Sequence, residues 1–173
     1  MQRILVTGNA GSGKTSLGNA LAHALSLPYV GLDSIVWKPG WVSTPRLERD
    51  DKEHSIAQTS AWVVDGVSKV FLEAADTVVF LDVPRRTCFR RALWRNLRYL
   101  FRSRPGLPER CPEIMIVPKL MKIIWRFPKQ VRPQILEARR SKGKRFFHIR
   151  SSSELNAFLD SARLSAQRLA LIL

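Results

Sequence analysis

The stretch "GNAGSGKT", Gly8 to Thr15, comes directly after the apolar run "ILVT" that ends at Thr7. It matches the pattern G-x-x-x-x-G-K-[ST], in which backbone N–H groups surround phosphate oxygens and the next helix adds the positive end of its dipole. In this pattern the lysine reaches the β- and γ-phosphates and the threonine hydroxyl binds Mg²⁺. We therefore expect ATP and Mg²⁺ as cofactors, with the nucleotide held by Gly8, Asn9, Ala10, Gly11, Ser12, Gly13, Lys14, Thr15 and Ser16.

Apolar strands alternate with helices on both sides of this loop. Strands are predicted at "RILVTG", "LPYVGLD", "AWVVDG", "DTVVFLDVP" and "KRFFHI", and helices between them, one from Thr15 to Leu25 and one after Pro84. Two further helical segments are expected to be broken near Pro128. The pattern predicts a three-layer α/β fold with a five-stranded parallel sheet, helices on both faces, and a basic insertion between the fourth and fifth strands.

The net charge of +15 is concentrated in one part of the chain. Residues 85–145 hold 19 Lys and Arg against three acids, whereas the remainder holds 10 against 11. Such a stretch indicates contact with a polyanion, which leaves free nucleotides, nucleic acid and an anionic membrane surface open as partners. The apolar and basic run "IMIVPKLMKIIWRF" fits either a membrane-surface helix or, with more weight, a helix that packs the insertion onto the core.

An arginine stripe follows Pro84. If "RRALWRNLRYLFR" is helical, Arg91, Arg95, Arg98 and Arg102 lie on one side. The opposite side then carries Phe89, Leu93, Leu97 and Leu100. Because no acid lies within the stripe and arginine is the best bidentate phosphate ligand, we expect phosphate contact, with a solvated helix face as the alternative.

Three aspartates follow predicted strands at the edge where ligands bind in open α/β sheets. Asp33 is a candidate for facing the acceptor hydroxyl or the metal, and Asp65 for holding Mg²⁺ and its water. Asp82 precedes Pro84 and is the weaker candidate, since it can simply cap the basic helix. Trp37 and Trp41 either wall a substrate or anchor their loop.

The rest of the sequence carries no competing signal. The two cysteines and three histidines show no metal-site spacing, so we expect no such site. The strand begins at once at the N-terminus and no apolar run reaches the length of a membrane span, which predicts a cytoplasmic protein.

The chain resembles the adenylate-kinase-like P-loop kinases, and among them the topology modulation (FlaR-like) proteins. The resemblance rests on "GNAGSGKT", "LDSIVWKPGW", "WVVDG", "ADTVVFLDVPRRTCFRR", "RPGLPERCPE" and "FPKQVRPQIL". It implies a single domain over residues 1–173 with a mobile lid at about 102–113. It also implies that Gly13, Lys14 and Thr15 bind ATP-Mg, that Asp65 holds the metal's water shell, and that the transferring phosphates are gripped by Arg95, Arg98, Arg102 and Arg132. Adenylate kinases follow the aspartate of their third strand with glycine and then Phe-Pro-Arg, whereas this chain has "DGVSK".

Two functions follow from these observations. The first is an ATP-dependent kinase for a nucleoside, a nucleotide or another small molecule. Its partners would be ATP and that acceptor, and no membrane contact is expected. Catalytic roles are then expected for Lys14, Asp33, Arg95, Arg98 and Arg102. The alternative is an ATP-dependent nucleic-acid-binding protein that modulates DNA topology, in which the basic insertion follows a phosphate backbone.

Overall fold

The computed structural model describes residues 1–140 and 143–170, with side chains through residue 164, so the expected domain end at residue 173 lies outside it. The main sheet has five strands, β1 (Arg3–Gly8), β2 (Tyr29–Gly31), β3 (Trp62–Asp65), β4 (Thr77–Leu81) and β5 (Arg145–Ile149). All neighbours are parallel, in the order β2-β3-β1-β4-β5. The predicted five-stranded parallel sheet is therefore confirmed.

Among the described residues, eight α-helices connect and flank the strands. They are α1 (Lys14–Leu25), α2 (Leu32–Val36), α3 (Arg46–Ala57), α4 (Lys69–Ala74), α5 (Arg85–Arg98), α6 (Val117–Gln130), α7 (Arg132–Glu137) and α8 (Ser152–Ala170). Short 3₁₀ turns span Pro39–Trp41, Glu113–Met115 and Ala138–Arg140. Within the described residues, the segment between α5 and α6 contains the predicted lid.

Both faces of the sheet are covered, and every position of the central strands β1, β3 and β4 except Arg3 is buried. On one face, Val6 and Val79 pack with Leu21 of α1 and Phe158 of α8. On the other face, the buried residues come from the sheet and from α2, α3 and α4: Leu5, Leu32, Ile35, Ala57, Trp62, Val64, Phe71, Ala75 and Val78. Phe80 extends this second face against Phe127 of α6 and Ile135 of α7. The three-layer prediction is confirmed.

Three local predictions need correction. The second strand is only Tyr29–Gly31, and Leu32 and Asp33 already belong to α2. The segment Trp37–Ser43, expected to be a loop, forms a small antiparallel hairpin of two two-residue strands, Trp37–Lys38 and Val42–Ser43. The helical break expected near Pro128 falls later, at Val131, and Pro128 lies inside α6.

Candidate functional site

The phosphate loop joins β1 to α1, as the motif predicts. Gly13 is the residue before α1 and has φ 100°, a left-handed conformation that glycine adopts without strain. A Cβ at Gly13 would meet nothing closer than the guanidinium of Arg91 at 4.0 Å, so this part of the loop faces open space. The first N–H groups of α1 have no helical partners and are available to an anion at this point.

Lys14 and Thr15, the last two motif positions, make separate contacts, one within the loop and one with β3. The Lys14 ammonium donates a hydrogen bond to the Asn9 carbonyl (2.9 Å), and burial lowers the pKa of Lys14. The Thr15 hydroxyl donates to Asp65 Oδ2 at 2.7 Å. The sequence-predicted pair of a motif hydroxyl and a strand-end carboxylate is thus brought together at the C-terminal edge of the sheet.

Tyr29 contributes to the same site. Its hydroxyl donates to Asp65 Oδ1 at 3.0 Å, so each oxygen of Asp65 accepts one hydrogen bond. Burial, and then the charge of Asp65, raise the pKa of Tyr29 well above its usual value. Tyr29 therefore stays protonated and holds the carboxylate in place.

Asn9 links the phosphate loop to α6. Its buried side chain donates a hydrogen bond to the Ile124 carbonyl at 3.1 Å. In an α-helix that carbonyl would accept from the N–H of residue 128, but residue 128 is proline. The Asn9 amide thus satisfies the carbonyl that Pro128 leaves free, which explains how α6 continues through a proline. Asn9, expected to contact nucleotide, has its side chain directed to α6 instead.

Arginines from the basic stretch reach the loop, but not all those predicted. The Arg91 guanidinium donates to the Ser12 carbonyl at 3.2 Å, and Arg95 lines the same cavity. Arg104, from the segment after α5, lines it too and forms an ion pair with Asp33. These guanidiniums surround the space in front of the loop.

Glu113 holds two of these arginines. It is completely buried, and its carboxylate lies 3.0 Å from Arg104 Nε and 3.5 Å from Arg95 Nη2. With its amide oriented to donate, Asn96 lies 2.7 Å from the second Glu113 oxygen. Burial and the charge of Arg104 lower the pKa of Arg95, and Glu113 opposes that effect. Glu113 therefore offsets the repulsion between two guanidiniums that face one cavity.

The predicted placement of Arg98 and Arg102 is wrong. Both are exposed and neither lines the cavity. The face of α5 that packs inward carries Cys88, Ala92 and Asn96 rather than leucines, and Leu93 and Leu97 are in fact exposed. The inward face carries small residues because α5 lies very close to the phosphate loop: a Cβ on Gly11 would lie 2.5 Å from the Cys88 carbonyl oxygen.

Arg132 also lies elsewhere. It forms hydrogen bonds to both oxygens of Asp82 (2.8–3.1 Å) and does not line the cavity. His148 contacts the same carboxylate at 2.8 Å, so Asp82 joins α7 to β5 rather than capping α5. Arg132, Asp82 and His148 are thus paired with one another outside the cavity in which Arg132 was expected to grip a transferring phosphate.

The segment after α5 is fastened to the Trp37–Ser43 hairpin. The Trp41 indole N–H donates to the Pro112 carbonyl at 2.8 Å, and its backbone N–H contacts the buried Cys111 sulfur at 3.4 Å. Trp37 and Trp41 pack edge to face, with ring centroids 5.3 Å apart. Both tryptophans also line the cavity, so they serve as anchors and as part of its wall.

One cavity of about 640 Å³ brings these groups together. Lys14, Thr15, Asp33, Asp65 and Arg95 all line it. The further lining includes the apolar residues Leu32, Val36, Trp37, Trp41, Val67 and Pro105. The sequence pointed to most of the polar groups, but it missed Arg104 and Glu113. The available signal was that Glu113 is one of only three acids in a stretch with 19 basic residues.

The described residues contain no cluster of three or more His, Cys, Asp or Glu side chains suited to a metal ion. None of the described helices is long and apolar enough to cross a membrane.

Comparison with known proteins supports the fold. No protein-family model and no curated protein sequence matches the chain. Among solved structures, shikimate kinase from Bacteroides thetaiotaomicron has 22% identity and a TM-score of 0.53, covering 98% of both chains. Shikimate kinase from Acinetobacter baumannii, in complex with shikimate, has 18% identity and a TM-score of 0.51, covering 99% of this chain and 92% of that one. A gluconokinase from Sinorhizobium meliloti has 18% identity and a TM-score of 0.50, covering 98% and 93%. The chain has the α/β fold of the P-loop kinases.

Proposed function

We propose that this protein is an ATP-dependent kinase that transfers a phosphoryl group to a hydroxyl of a small molecule, with nucleosides and nucleotides as the first candidates. One observation carries the proposal. The phosphate loop, three arginines and the carboxylate of Asp33 all lie around a single cavity, with the segment after α5 over it. A cavity that excludes water and surrounds phosphate with positive charge favours transfer to an acceptor over hydrolysis.

The loop residues fit Mg²⁺-ATP. Mg²⁺ is usually bound through one or two protein oxygens together with the nucleotide phosphates, and Thr15 and Asp65 offer a hydroxyl and a carboxylate 2.7 Å apart. In our proposal these two residues hold the metal and its water, and the metal neutralises charge on the phosphates. Lys14, with Gly13 and the other backbone amides of the loop, binds the phosphate oxygens.

Arg91, Arg95 and Arg104 are assigned to the transferring phosphoryl group. Their guanidiniums can make bidentate contacts with its oxygens, as arginines do in other phosphoryl-transfer sites. Arg98, Arg102 and Arg132 are not part of this assignment, because each is directed away from the cavity or paired elsewhere.

Asp33 is assigned as the group that accepts the proton of the acceptor hydroxyl. It is held by Arg104 and lies beside the apolar wall that includes Leu32 and Trp37. A flat base fits against such a wall, and a hydroxyl of the sugar attached to it can then face Asp33 and the phosphate loop. This arrangement is our reason for placing nucleosides and nucleotides first.

The test is transfer of labelled phosphate from ATP to a panel of nucleosides, nucleotides and other alcohols. We expect a labelled acceptor, with the rate reduced about 10²–10³-fold by Lys14→Met and about 10²–10⁴-fold by Asp33→Asn. Asp51→Asn, an exposed aspartate in α3, is the matched control and should leave the rate unchanged. Release of inorganic phosphate alone with every acceptor would refute the kinase proposal.

A further inference from the structure

The outward face of α5 carries large apolar side chains in contact with solvent. Leu93, Trp94 and Leu97 are 55%, 73% and 59% exposed, and Phe101, in the turn after the helix, is 78% exposed. We call these four residues the α5 ridge. Isolated exposed apolar residues are ordinary, but a group of this size marks a contact surface.

The members of the α5 ridge are neighbours. Leu93 and Leu97 are four residues apart, and Trp94 and Leu97 three apart, which places them side by side on a helix. The inward face of α5, through Cys88 and Ala92, packs on α6. The α5 ridge therefore points away from the cavity, and a partner bound to it leaves the proposed kinase site open.

Arginines flank the α5 ridge: Arg86, Arg90, Arg98 and Arg102 are all exposed. No ion pair among the described residues involves any of them. Residues 83–108 contain no acid, so this segment contributes only positive charge to the surface. These are also the arginines that the proposed kinase chemistry does not use. The partner must therefore be anionic and must also accept aromatic and aliphatic side chains.

We propose that the α5 ridge docks onto the surface of an anionic lipid bilayer. Trp, Phe and Leu on one face with arginines beside them are the features of a helix that lies in a membrane interface. The apolar side chains enter the boundary between headgroups and acyl chains, and the arginines reach lipid phosphates. This is a peripheral contact, independent of the kinase proposal.

Single-stranded nucleic acid fits less well. Nucleic acid is bound by stacking of bases on aromatic rings along a positively charged groove. The α5 ridge lies on the outward face of a helix, and half of its members are leucines, which have no ring on which a base stacks. A lipid surface uses all four side chains.

The experiment is sedimentation of the full chain with vesicles of phosphatidylcholine alone or mixed with phosphatidylglycerol. We expect binding to the anionic vesicles only, and about a tenfold or greater loss of binding in Trp94→Ser/Leu97→Ser. The matched control is Leu47→Ser, which removes an 80% exposed leucine from α3 and should bind as the unaltered chain does. Quenching of the protein's tryptophan fluorescence by brominated lipid should decrease when Trp94 is replaced by phenylalanine. Since these positions are exposed, melting temperatures should confirm that the variants fold.

Several outcomes overturn the proposal. One is equal binding to neutral and anionic vesicles, or no binding to either. Another is full binding by Trp94→Ser/Leu97→Ser while Arg98→Gln/Arg102→Gln binds weakly, which means adsorption by charge alone. A third is that the unaltered chain binds no vesicles but binds an oligonucleotide or forms a dimer, and that Trp94→Ser/Leu97→Ser abolishes this interaction. That result would assign the surface to nucleic acid or to a second copy of the chain.

Discussion

Replacement of Glu113 by glutamine tests whether a buried carboxylate positions the arginines of the cavity. The substitution keeps the size of the side chain and removes its charge. In the native arrangement the carboxylate lies 3.0 Å from Arg104 Nε and 3.5 Å from Arg95 Nη2. Neither Arg104 Nε nor Glu113 Oε1 has an aligned hydrogen-bond partner among the described residues, so the attraction between them is largely Coulombic. Glutamine removes that attraction.

The cost follows from burial. Removing one partner of a fully buried ion pair costs about 3–5 kcal/mol. Arg104 retains Asp33 as a partner, and the Arg95 side chain is 27% exposed, so we expect a lower value of about 2–3 kcal/mol. For a chain of 173 residues this corresponds to a fall in melting temperature of about 4–12 °C.

The informative measurement is how far the loss of stability in Glu113→Gln changes when a nucleotide is bound. If the two guanidiniums bind phosphate as proposed, a polyphosphate competes with Glu113 for them in the native protein, whereas in Glu113→Gln they are uncompensated. We expect the variant to bind Mg²⁺ with a non-hydrolysable ATP analogue about tenfold more tightly, a gain of about 1.4 kcal/mol in binding free energy. Turnover should fall about 10–100-fold, because the arginines lose their fixed positions.

Calorimetric titration gives the affinity, and thermal unfolding with and without the analogue gives the stability. Glu109→Gln, an exposed glutamate in the same segment, is the matched control and should change neither quantity. If Glu113→Gln is destabilised equally with and without the analogue, and its affinity is unchanged, then Arg95 and Arg104 do not contact phosphate and the reasoning fails.

Two further predictions concern the contacts that hold the site in place. Asn9→Ala should lower the free energy of unfolding by about 1–3 kcal/mol, since it leaves the buried Ile124 carbonyl unpaired. The loss should be clearly smaller in a Pro128→Ala background, where residue 128 regains an N–H that can pair with this carbonyl. Equal losses in both backgrounds, measured by urea denaturation, would contradict this account. Partial burial raises the pKa of Asp82, but contacts from Arg132 and His148 outweigh it and hold the pKa below its usual range. The stability that Asp82 provides is therefore present above the usual aspartate pKa and lost as pH falls through the lowered value. In urea denaturation, the unfolding free energy of the native protein should exceed that of Asp82→Asn by about 1–2 kcal/mol at neutral pH, and this difference should disappear in strong acid. A difference that persists in strong acid would show a cause other than ionisation of Asp82.

The part of the site next to the motif was predictable because local sequence determines it. A strand, a glycine-rich loop and a helix lie within 25 residues, and together they fix where Lys14 and Thr15 are placed. Asp65 was predictable for a related reason, because the carboxyl ends of parallel strands meet at one edge of the sheet. Topology alone brings that carboxylate to the Thr15 hydroxyl.

The orientation of α5 was not predictable, because its sequence is compatible with two buried faces. A stripe of leucines is the usual core signal, and here it competes with a stripe of small residues that includes Cys88 and Ala92. The choice depends on what α5 packs against. Against the phosphate loop only a small side chain fits, and this turns Arg91 and Arg95 to the cavity and the leucines to solvent.

The contact between Asn9 and Ile124 joins the phosphate loop to α6. Asn9 lies in the phosphate loop, and Ile124 lies 115 residues later in the helix that follows the segment after α5. A proline in α6 creates an unpaired carbonyl, and the loop supplies its donor, so the two elements share one hydrogen bond that neither could make alone. Binding of an anion that shifts the loop would alter this bond and with it the position of α6. A substitution at Pro128, which is far from the phosphate loop in sequence, is therefore expected to change the hydrogen bonding of Asn9 in that loop.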